Sequence, residues 1–118
     1  MNTRAAGAHY EDRALAHLQR AGLVLITRNV ACRYGEIDLV MRDDDTVVFI
    51  EVRYRQRSEF GDGLASVNTT KRARLVRAAR VFLARNPRLA RCACRFDVIA
   101  LTGEADDANW CRNAFEAD

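Results

Sequence analysis

Residues 34–54 read YGEIDLVMRDDDTVVFIEVRY, a pattern that predicts two strands joined by a tight turn. Polar and apolar residues alternate from Tyr34 to Met41, as they do along a strand with two different faces. Asp43 to Asp45 form a polar turn, and Thr46 to Tyr54 are rich in the β-branched residues typical of strands. Two strands joined so closely pair as an antiparallel hairpin. The alternation predicts that one face of the first strand carries Ile37, Leu39 and Met41.

Charged side chains fall at alternate positions on both strands of this hairpin. Glu36 and Asp38 are two residues apart, as are Glu51 and Arg53, so each pair shares one face. In a register that aligns the pairs, three carboxylates meet, and a cation, a proton or an arginine must offset their repulsion. Carboxylate oxygens favour Mg²⁺ or Mn²⁺. The alternative is an ordinary salt bridge of Glu51 with Arg53 or Arg55 on an exposed face.

The rest of the chain supplies helices and further strands around the hairpin. We expect a helix over Gly7–Ala21, a strand over Leu23–Val30, a helix from Thr69 or Thr70 to about Arg85, a strand over Arg95–Leu101, and an edge strand or docking turn around Trp110–Phe115. Thr69 or Thr70 is the expected N-cap, and residues 55–67 are predicted to form a functional loop. The order α-β-β-β-α-β predicts an α/β fold, a mixed sheet flanked by helices.

The length of 118 residues indicates a single domain over residues 1–118, since domains commonly hold roughly 100–200 residues. An apolar fraction of 49% is enough for a buried core, which excludes a disordered or collagen-like chain. The sequence has neither a long apolar run nor a signal peptide, so we expect a cytoplasmic protein with no membrane partner. The four cysteines are then expected to be reduced thiols.

Positive charge is concentrated in the middle of the chain. Residues 53–95 carry twelve basic side chains against Glu59 and Asp62, a net charge of +10, whereas the segments before and after are acidic. Basic bands of this density attract polyanions, and nucleic-acid backbones are the commonest such partner. The alternative is a helix face that merely stays solvated.

The spacing from Asp38 to the sequence Glu51-Val52-Arg53 resembles the PD-(D/E)xK nuclease signature of the restriction-endonuclease-like fold, with arginine in place of the lysine. A set of ordered blocks that spans nearly the whole chain resembles the YraN family of predicted bacterial nucleases. The blocks are Gly7-x-x-x-Glu11-x-x-Ala14, Gly35-Glu36-Ile37-Asp38, Phe49-Ile50-Glu51-Val52-Arg53-Tyr54-Arg55, Phe60-Gly61, Lys71, Arg95-Phe96-Asp97 and Asn113-Ala114-Phe115.

This resemblance implies a fold like that of archaeal Holliday junction resolvases and a phosphodiesterase site that uses Mg²⁺ or Mn²⁺. It implies that Asp38 and Glu51 are the two metal-binding carboxylates and that Glu11 completes the site. Glu36 lies where it could add a further metal ligand. Related resolvases are dimers, so the resemblance also implies a homodimer.

Arg53 departs from the nuclease signature, because a guanidinium does not release a proton at neutral pH and cannot act as a base. It can still stabilise charge that develops on a phosphate. Lys71 is the only lysine of the chain, and from the start of the second helix it can reach the same cleft. The alternative for Lys71 is a surface position. The arginines expected to contact a phosphate backbone are Arg55, Arg57, Arg72, Arg74 and Arg77.

These observations favour a nucleic-acid-binding protein with a metal-dependent endonuclease site that acts on DNA, including branched or recombination intermediates. One alternative is a DNA- or RNA-binding module whose catalytic activity has lapsed. Another is a protein-interaction subunit of a DNA repair or uptake assembly. Among the aromatic residues, Trp110 and Phe115 are predicted to pack in the fold, whereas the roles of Tyr34 and Tyr54 stay open.

Overall fold

A computed structural model of the chain describes residues 3–54, 68–103 and 108–117. Its helices and strands are α1 (Thr3–Arg20), β1 (Val24–Cys32), β2 (Gly35–Asp43), β3 (Thr46–Tyr54), α2 (Thr69–Ala84), β4 (Ala93–Leu101) and β5 (Ala108–Phe115), with a short 3-10 helix at Leu89–Arg91. The predicted element order is confirmed, and the carboxy-terminal segment is an edge strand. The predicted loop over residues 55–67 lies outside the described residues.

The five strands form one mixed sheet in the order β1-β2-β3-β4-β5. Strands β3 and β4 are parallel, and the other neighbouring pairs are antiparallel. The two clusters of buried apolar side chains lie on opposite faces of this sheet, one under each helix. The prediction of a mixed sheet flanked by helices is therefore confirmed.

Each helix packs through the apolar stripe that its sequence predicts. On the α1 face, Ala14 and Leu18 are fully buried against Leu39, Met41 and other strand residues. On the α2 face, five buried helix residues meet aromatic side chains of the strands: Leu75, Val76, Ala78, Ala79 and Phe82. Burial of apolar surface on both faces explains why the central strands β2 and β3 carry long apolar runs.

The predicted N-cap of α2 is wrong by one or two residues. The cap is Asn68, whose backbone is extended and whose side-chain oxygen accepts a hydrogen bond of 2.9 Å from the Lys71 N–H. Thr69 and Thr70 already belong to the first turn of the helix, so neither takes the capping position. The cap fixes Lys71 in the first turn of α2.

The predicted alternation along β2 is wrong at one point. Ile37 packs in the cluster under α2, whereas Leu39 and Met41 pack in the cluster under α1. Strand β1 changes face at the same level, because Arg28 pairs with Leu39 and Val30 pairs with Ile37. Asn29, which lies between those two β1 residues, has a positive φ of 56°. In a regular strand with Leu39 on the α1 face, Asp38 would face α2, yet its carboxylate lies within 4.8 Å of that of Glu11 on α1.

A buried carboxylate ties β4 to β5. Asp97 is 1% exposed and accepts hydrogen bonds from Arg95 Nε at 3.0 Å, Trp110 Nε1 at 2.9 Å and the Asn113 N–H at 2.9 Å. Arg95 also donates to Asp43 at the turn between β2 and β3. Because these donors satisfy the carboxylate, Asp97 has a structural role that accounts for its burial.

Within the described ranges, neither helix combines the length and the apolar character that crossing a bilayer requires. Cys32, Cys92, Cys94 and Cys111 are free thiols.

Candidate functional site

The candidate site lies where β2 and β3 separate. Their pairing runs from Asp43 with Thr46 to Leu39 with Ile50. One residue further along β2, the Asp38 carboxylate accepts the Val52 N–H at 2.8 Å. Beyond the pair of Leu39 with Ile50, the Asp38 side chain thus replaces a backbone carbonyl as the acceptor for a β3 N–H. A cleft opens between the two strands at this point.

Three carboxylates converge beside this opening. Glu11 on α1 joins Glu36 and Asp38 on β2, with carboxylate oxygens that all lie within 4.8 Å of one another. Among the described residues, this is the group of acidic, histidine and cysteine side chains with the spacing of a metal site. Two oxygens bound to the same Mg²⁺ at about 2.1 Å are at most about 4.2 Å apart. Side-chain shifts of less than about 1 Å would therefore let the three carboxylates hold such an ion, and their hard oxygen donors suit Mg²⁺ or Mn²⁺.

Glu51 belongs to the same opening but is held by cations of this chain. It is only 6% exposed, and its Oε1 lies 2.6 Å from the Nζ of Lys71 and 3.6 Å from a guanidinium nitrogen of Arg53. A buried carboxylate needs such partners because desolvation penalises its charge. Lys71 thus reaches the cleft from the first turn of α2, as the sequence predicted.

Two clefts meet at Asp38, Glu51 and Lys71. The first, on the α2 side, has a volume of about 540 Å³ and is further lined by Tyr34, Glu36, Asn68, Thr70 and Arg74; we call it the basic cleft after Lys71 and Arg74. The aromatic cleft, on the α1 side, has a volume of about 330 Å³ and is further lined by Tyr10, Glu11, Arg53 and Tyr54. Asp38 and Glu51 therefore lie between a cleft that contains Arg74 and a cleft that contains the Tyr10 and Tyr54 rings.

The arginines of α2 divide between the basic cleft and the surface beside it. Arg74 lines the basic cleft, and Arg77 lies over the ring of Tyr34 at 5.6 Å from its centroid. Arg72 lies over the ring of Phe115 at 5.4 Å, and a neighbouring groove is lined by Arg72, Arg77 and Arg80. The predicted phosphate contacts Arg55 and Arg57 lie outside the described residues.

Burial in the cleft, with the nearby charges of Glu51, Glu11 and Glu36, raises the pKa of the Asp38 carboxyl from 3.8 to about 8. The hydrogen bond from the Val52 N–H opposes this shift. Without a cation, Asp38 therefore carries a proton at neutral pH for much of the time. A bound divalent cation would favour the ionised form instead.

The sequence predicts one site that contains Asp38, Glu36, Glu11, Glu51 and Lys71, and the structure brings these residues together. It groups Glu11, not Glu51, with Glu36 and Asp38 as the three closest carboxylates.

Two further contacts near the site are not predicted by the sequence. Arg28 of β1 forms ion pairs with Glu11 at 3.4 Å and Asp12 at 2.9 Å, and the rings of Tyr10 and Tyr54 stack at 4.3 Å. No local pattern marks these contacts, because each joins residues distant in sequence.

A mixed five-stranded sheet with a helix on each face, and an acidic cleft where its central strands part, define a restriction-endonuclease-like fold. The sequence profile described as "Uncharacterised protein family UPF0102" matches residues 10–101. The chain belongs to the UPF0102 family, in agreement with its resemblance to YraN.

Relatives in this family match nearly the full length of the chain. The UPF0102 protein of Stutzerimonas stutzeri (strain A1501) is 50% identical over 117 residues, 98% of both chains. The UPF0102 protein of Yersinia enterocolitica is 51% identical across the whole of both chains. The UPF0102 protein of Pseudomonas fluorescens (strain Pf0-1) is 48% identical, over 95% of this chain and 93% of its own.

The raised pKa of Asp38 predicts that the metal-free protein loses stability as the pH rises from about 4 to about 8. In that window the folded protein binds a proton at Asp38 that the unfolded chain has released, so higher pH favours unfolding. Asp38→Asn should remove this part of the pH dependence and melt higher than the wild type at pH 8. Thermal unfolding in EDTA between pH 5 and pH 8 measures both effects.

Asp45→Asn is the matched control, because Asp45 is exposed in the turn between β2 and β3. It should keep the wild-type slope. An Asp38→Asn profile parallel to that of the wild type would contradict the prediction.

Proposed function

We propose that this protein is a metal-dependent phosphodiesterase, an endonuclease that acts on DNA, including branched or recombination intermediates. The observation that carries the proposal is the convergence of Glu11, Glu36 and Asp38 next to the Glu51–Lys71 pair, at the mouth of the basic cleft. The proposal is also supported by the resemblance to PD-(D/E)xK nucleases. In this proposal the protein works in the cytoplasm, and the homodimer implied by that resemblance stays a prediction.

The site's own residues have distinct roles in such a reaction. Glu11, Glu36 and Asp38 would hold Mg²⁺ or Mn²⁺, with Glu51 as a further ligand once a substrate or cation draws Lys71 away. The chemistry that such an ion supplies is polarisation of a phosphoryl oxygen and a lowered pKa of bound water. Lys71 can stabilise negative charge on the phosphate or move a proton, whereas Arg53 can only stabilise charge.

The basic cleft gives this site a way to hold a nucleic-acid backbone. Arg74 and Lys71 project from α2 into the cleft, and the Arg72, Arg77 and Arg80 side chains continue the positive surface along the same helix. Contacts of this kind position phosphates without reading the base sequence. They fit a structure-selective nuclease better than a sequence-specific one.

A binding module without catalysis is the second candidate, and Arg53 is the observation that favours it. The position that holds lysine in the nuclease signature carries a group that cannot release a proton at neutral pH. Such a module would keep the arginines of α2 and their contacts with nucleic acid. Cleavage assays separate the two candidates because only one of them requires turnover. The docking of residues 53–95 on an acidic protein partner is the third alternative, and it predicts no affinity for nucleic acid.

Replacing a central carboxylate should abolish cleavage. We expect Asp38→Asn or Glu51→Gln to lose at least about 100-fold in rate on every substrate that the wild type cuts, because fewer anionic ligands neutralise the cation. The assay uses single-stranded, duplex, flap and four-way-junction DNA and the corresponding RNA, each with Mg²⁺, Mn²⁺ or EDTA. Asp45→Asn should cleave like the wild type. Full Mn²⁺-dependent activity in either site variant would rule out this metal site.

The contact between Lys71 and Glu51 predicts how the missing lysine is replaced. Lys71→Ala should reduce the cleavage rate by about 100-fold or more, because it removes a side chain at the cleft that can supply both positive charge and a proton. Arg53→Lys should leave the rate unchanged or raise it, since it keeps a cation beside Glu51. Single-turnover cleavage assays compare the variants. A larger loss from Arg53→Lys than from Lys71→Ala would assign the role to Arg53.

If wild type and Arg53→Lys both bind nucleic acid but never cut it with any metal, the binding-module candidate is correct instead.

The α2 arginines predict the salt dependence of binding. Reversing Arg72, Arg74 and Arg77 to glutamate should weaken binding to all sequences and reduce the slope of log K against log salt by about one unit for each phosphate that is no longer neutralised. Fluorescence anisotropy across a salt titration measures both changes. The matched control reverses Arg20, Arg42 and Arg91, which are exposed on other elements and change the net charge equally. Equal binding by the two triple variants would show that the α2 face is only solvated.

A further inference from the structure

The aromatic cleft contains an exposed aromatic ring close to the carboxylates. Tyr54 is 48% exposed, and among the described residues only Tyr54 and Val24 are large apolar side chains with such exposure. Val24 pairs with Arg42, near the turn between β2 and β3, whereas Tyr54 ends β3, three residues after Glu51. The exposed ring therefore lies at the end of the sheet that carries the candidate site.

One face of the Tyr54 ring packs against a second aromatic ring. It stacks on the Tyr10 ring of α1 with centroids 4.3 Å apart and planes 18° from parallel. The guanidinium of Arg13 lies 5.5 Å from the centroid of Tyr10, which gives the stack a cationic edge. Tyr10 covers one face of the Tyr54 ring, yet about half of Tyr54 stays open to solvent. A ring held in this way is a rigid platform that loses little freedom when another flat ring stacks on it.

The platform and the carboxylates line the same cleft. Tyr10 and Tyr54 share the aromatic cleft with Glu11, Asp38 and Glu51. A phosphate held at the carboxylates would therefore have one of its neighbouring nucleosides near Tyr54. The backbone on the other side would run into the basic cleft, toward Arg74.

We propose that Tyr54, supported by Tyr10, is a stacking platform for an unpaired nucleobase next to the phosphate at the candidate site. Inside a duplex both faces of a base are covered by its neighbours, so only an unpaired or displaced base can stack on a protein ring. The substrate class is therefore nucleic acid with a single-stranded segment or branch point at the cleft, rather than continuous duplex. This inference rests on the proposed function and names the substrate class for that same site.

The test measures binding and base stacking separately from cleavage. The probes are a forked DNA with 2-aminopurine in its single-stranded arm beside the junction and a fully paired duplex of equal length, both in Ca²⁺. Tyr54→Ala should weaken binding of the fork by about tenfold and of the duplex by less than about twofold, because it removes only the stacking contact. Fluorescence of 2-aminopurine should be quenched by the wild type and by Tyr54→Phe, and not by Tyr54→Ala.

Two further variants separate stacking from folding. Tyr54→Leu keeps an apolar contact with α1 but has no aromatic face, so it should behave as Tyr54→Ala does even where its melting temperature is that of the wild type. Val24→Ala, at the other exposed apolar position, should bind both probes like the wild type.

Wild-type affinity for the fork in Tyr54→Leu, or an equal loss for fork and duplex in Tyr54→Ala, would overturn the platform. If the wild type still cleaves DNA through Asp38 in that case, the proposed function stands. A wild type that binds neither probe and cuts no substrate would overturn both.

Discussion

The Asp38 carboxylate takes the Val52 N–H just beyond the last pair between β2 and β3, and the cleft depends on that hydrogen bond. Each strand keeps its other neighbour, since β2 stays paired with β1 and β3 stays paired with β4 beyond this level. The sheet therefore parts only between β2 and β3, while the pairing of β1 with β2 and of β3 with β4 continues. Asp38 both accepts the Val52 N–H and lines the two clefts, so the same side chain contributes to the fold and to the candidate site.

The charges around the opening are balanced only in part. Lys71 and Arg53 neutralise Glu51, and Arg28 neutralises Glu11, but burial and the surrounding acids raise the pKa of Asp38 to about 8. Such an arrangement is costly for the fold alone, because apolar side chains at these positions would avoid the desolvation of charge. It is expected where a cation or a phosphate completes the balance. Perturbed carboxylates in clefts are common at functional sites for this reason.

The two walls of the cleft differ because different helices supply them. Helix α2 places Lys71 and Arg74 in the lining of the basic cleft, next to its buried Leu75, and it places Arg77 over the ring of Tyr34, which also lines that cleft. Helix α1 presents Glu11 and Tyr10 from a single turn, and these residues meet Asp38 and Tyr54 across the sheet. An acidic centre between a cationic and an aromatic wall suits a ligand with phosphates and flat rings, which is the chemistry of a nucleic acid.

The element order, the apolar stripes of both helices and the membership of Glu11, Asp38, Glu51 and Lys71 in one site could all be predicted from the sequence. Local periodicity predicts the element order and the apolar stripes. The spacing of the charged residues, together with the family resemblance, predicts which residues share the site. The face change at Ile37, the capping by Asn68 and the Tyr10–Tyr54 stack could not be predicted in this way. The face change and the stack depend on residues far apart in the chain, and the cap depends on which of three adjacent polar residues has an extended backbone. The sequence by itself thus determines which chemical groups the site can contain. The tertiary structure decides which of them touch, because α1 and α2 pack on opposite faces of the sheet and bring Glu11, Tyr10 and Lys71 to strand residues far away in the chain.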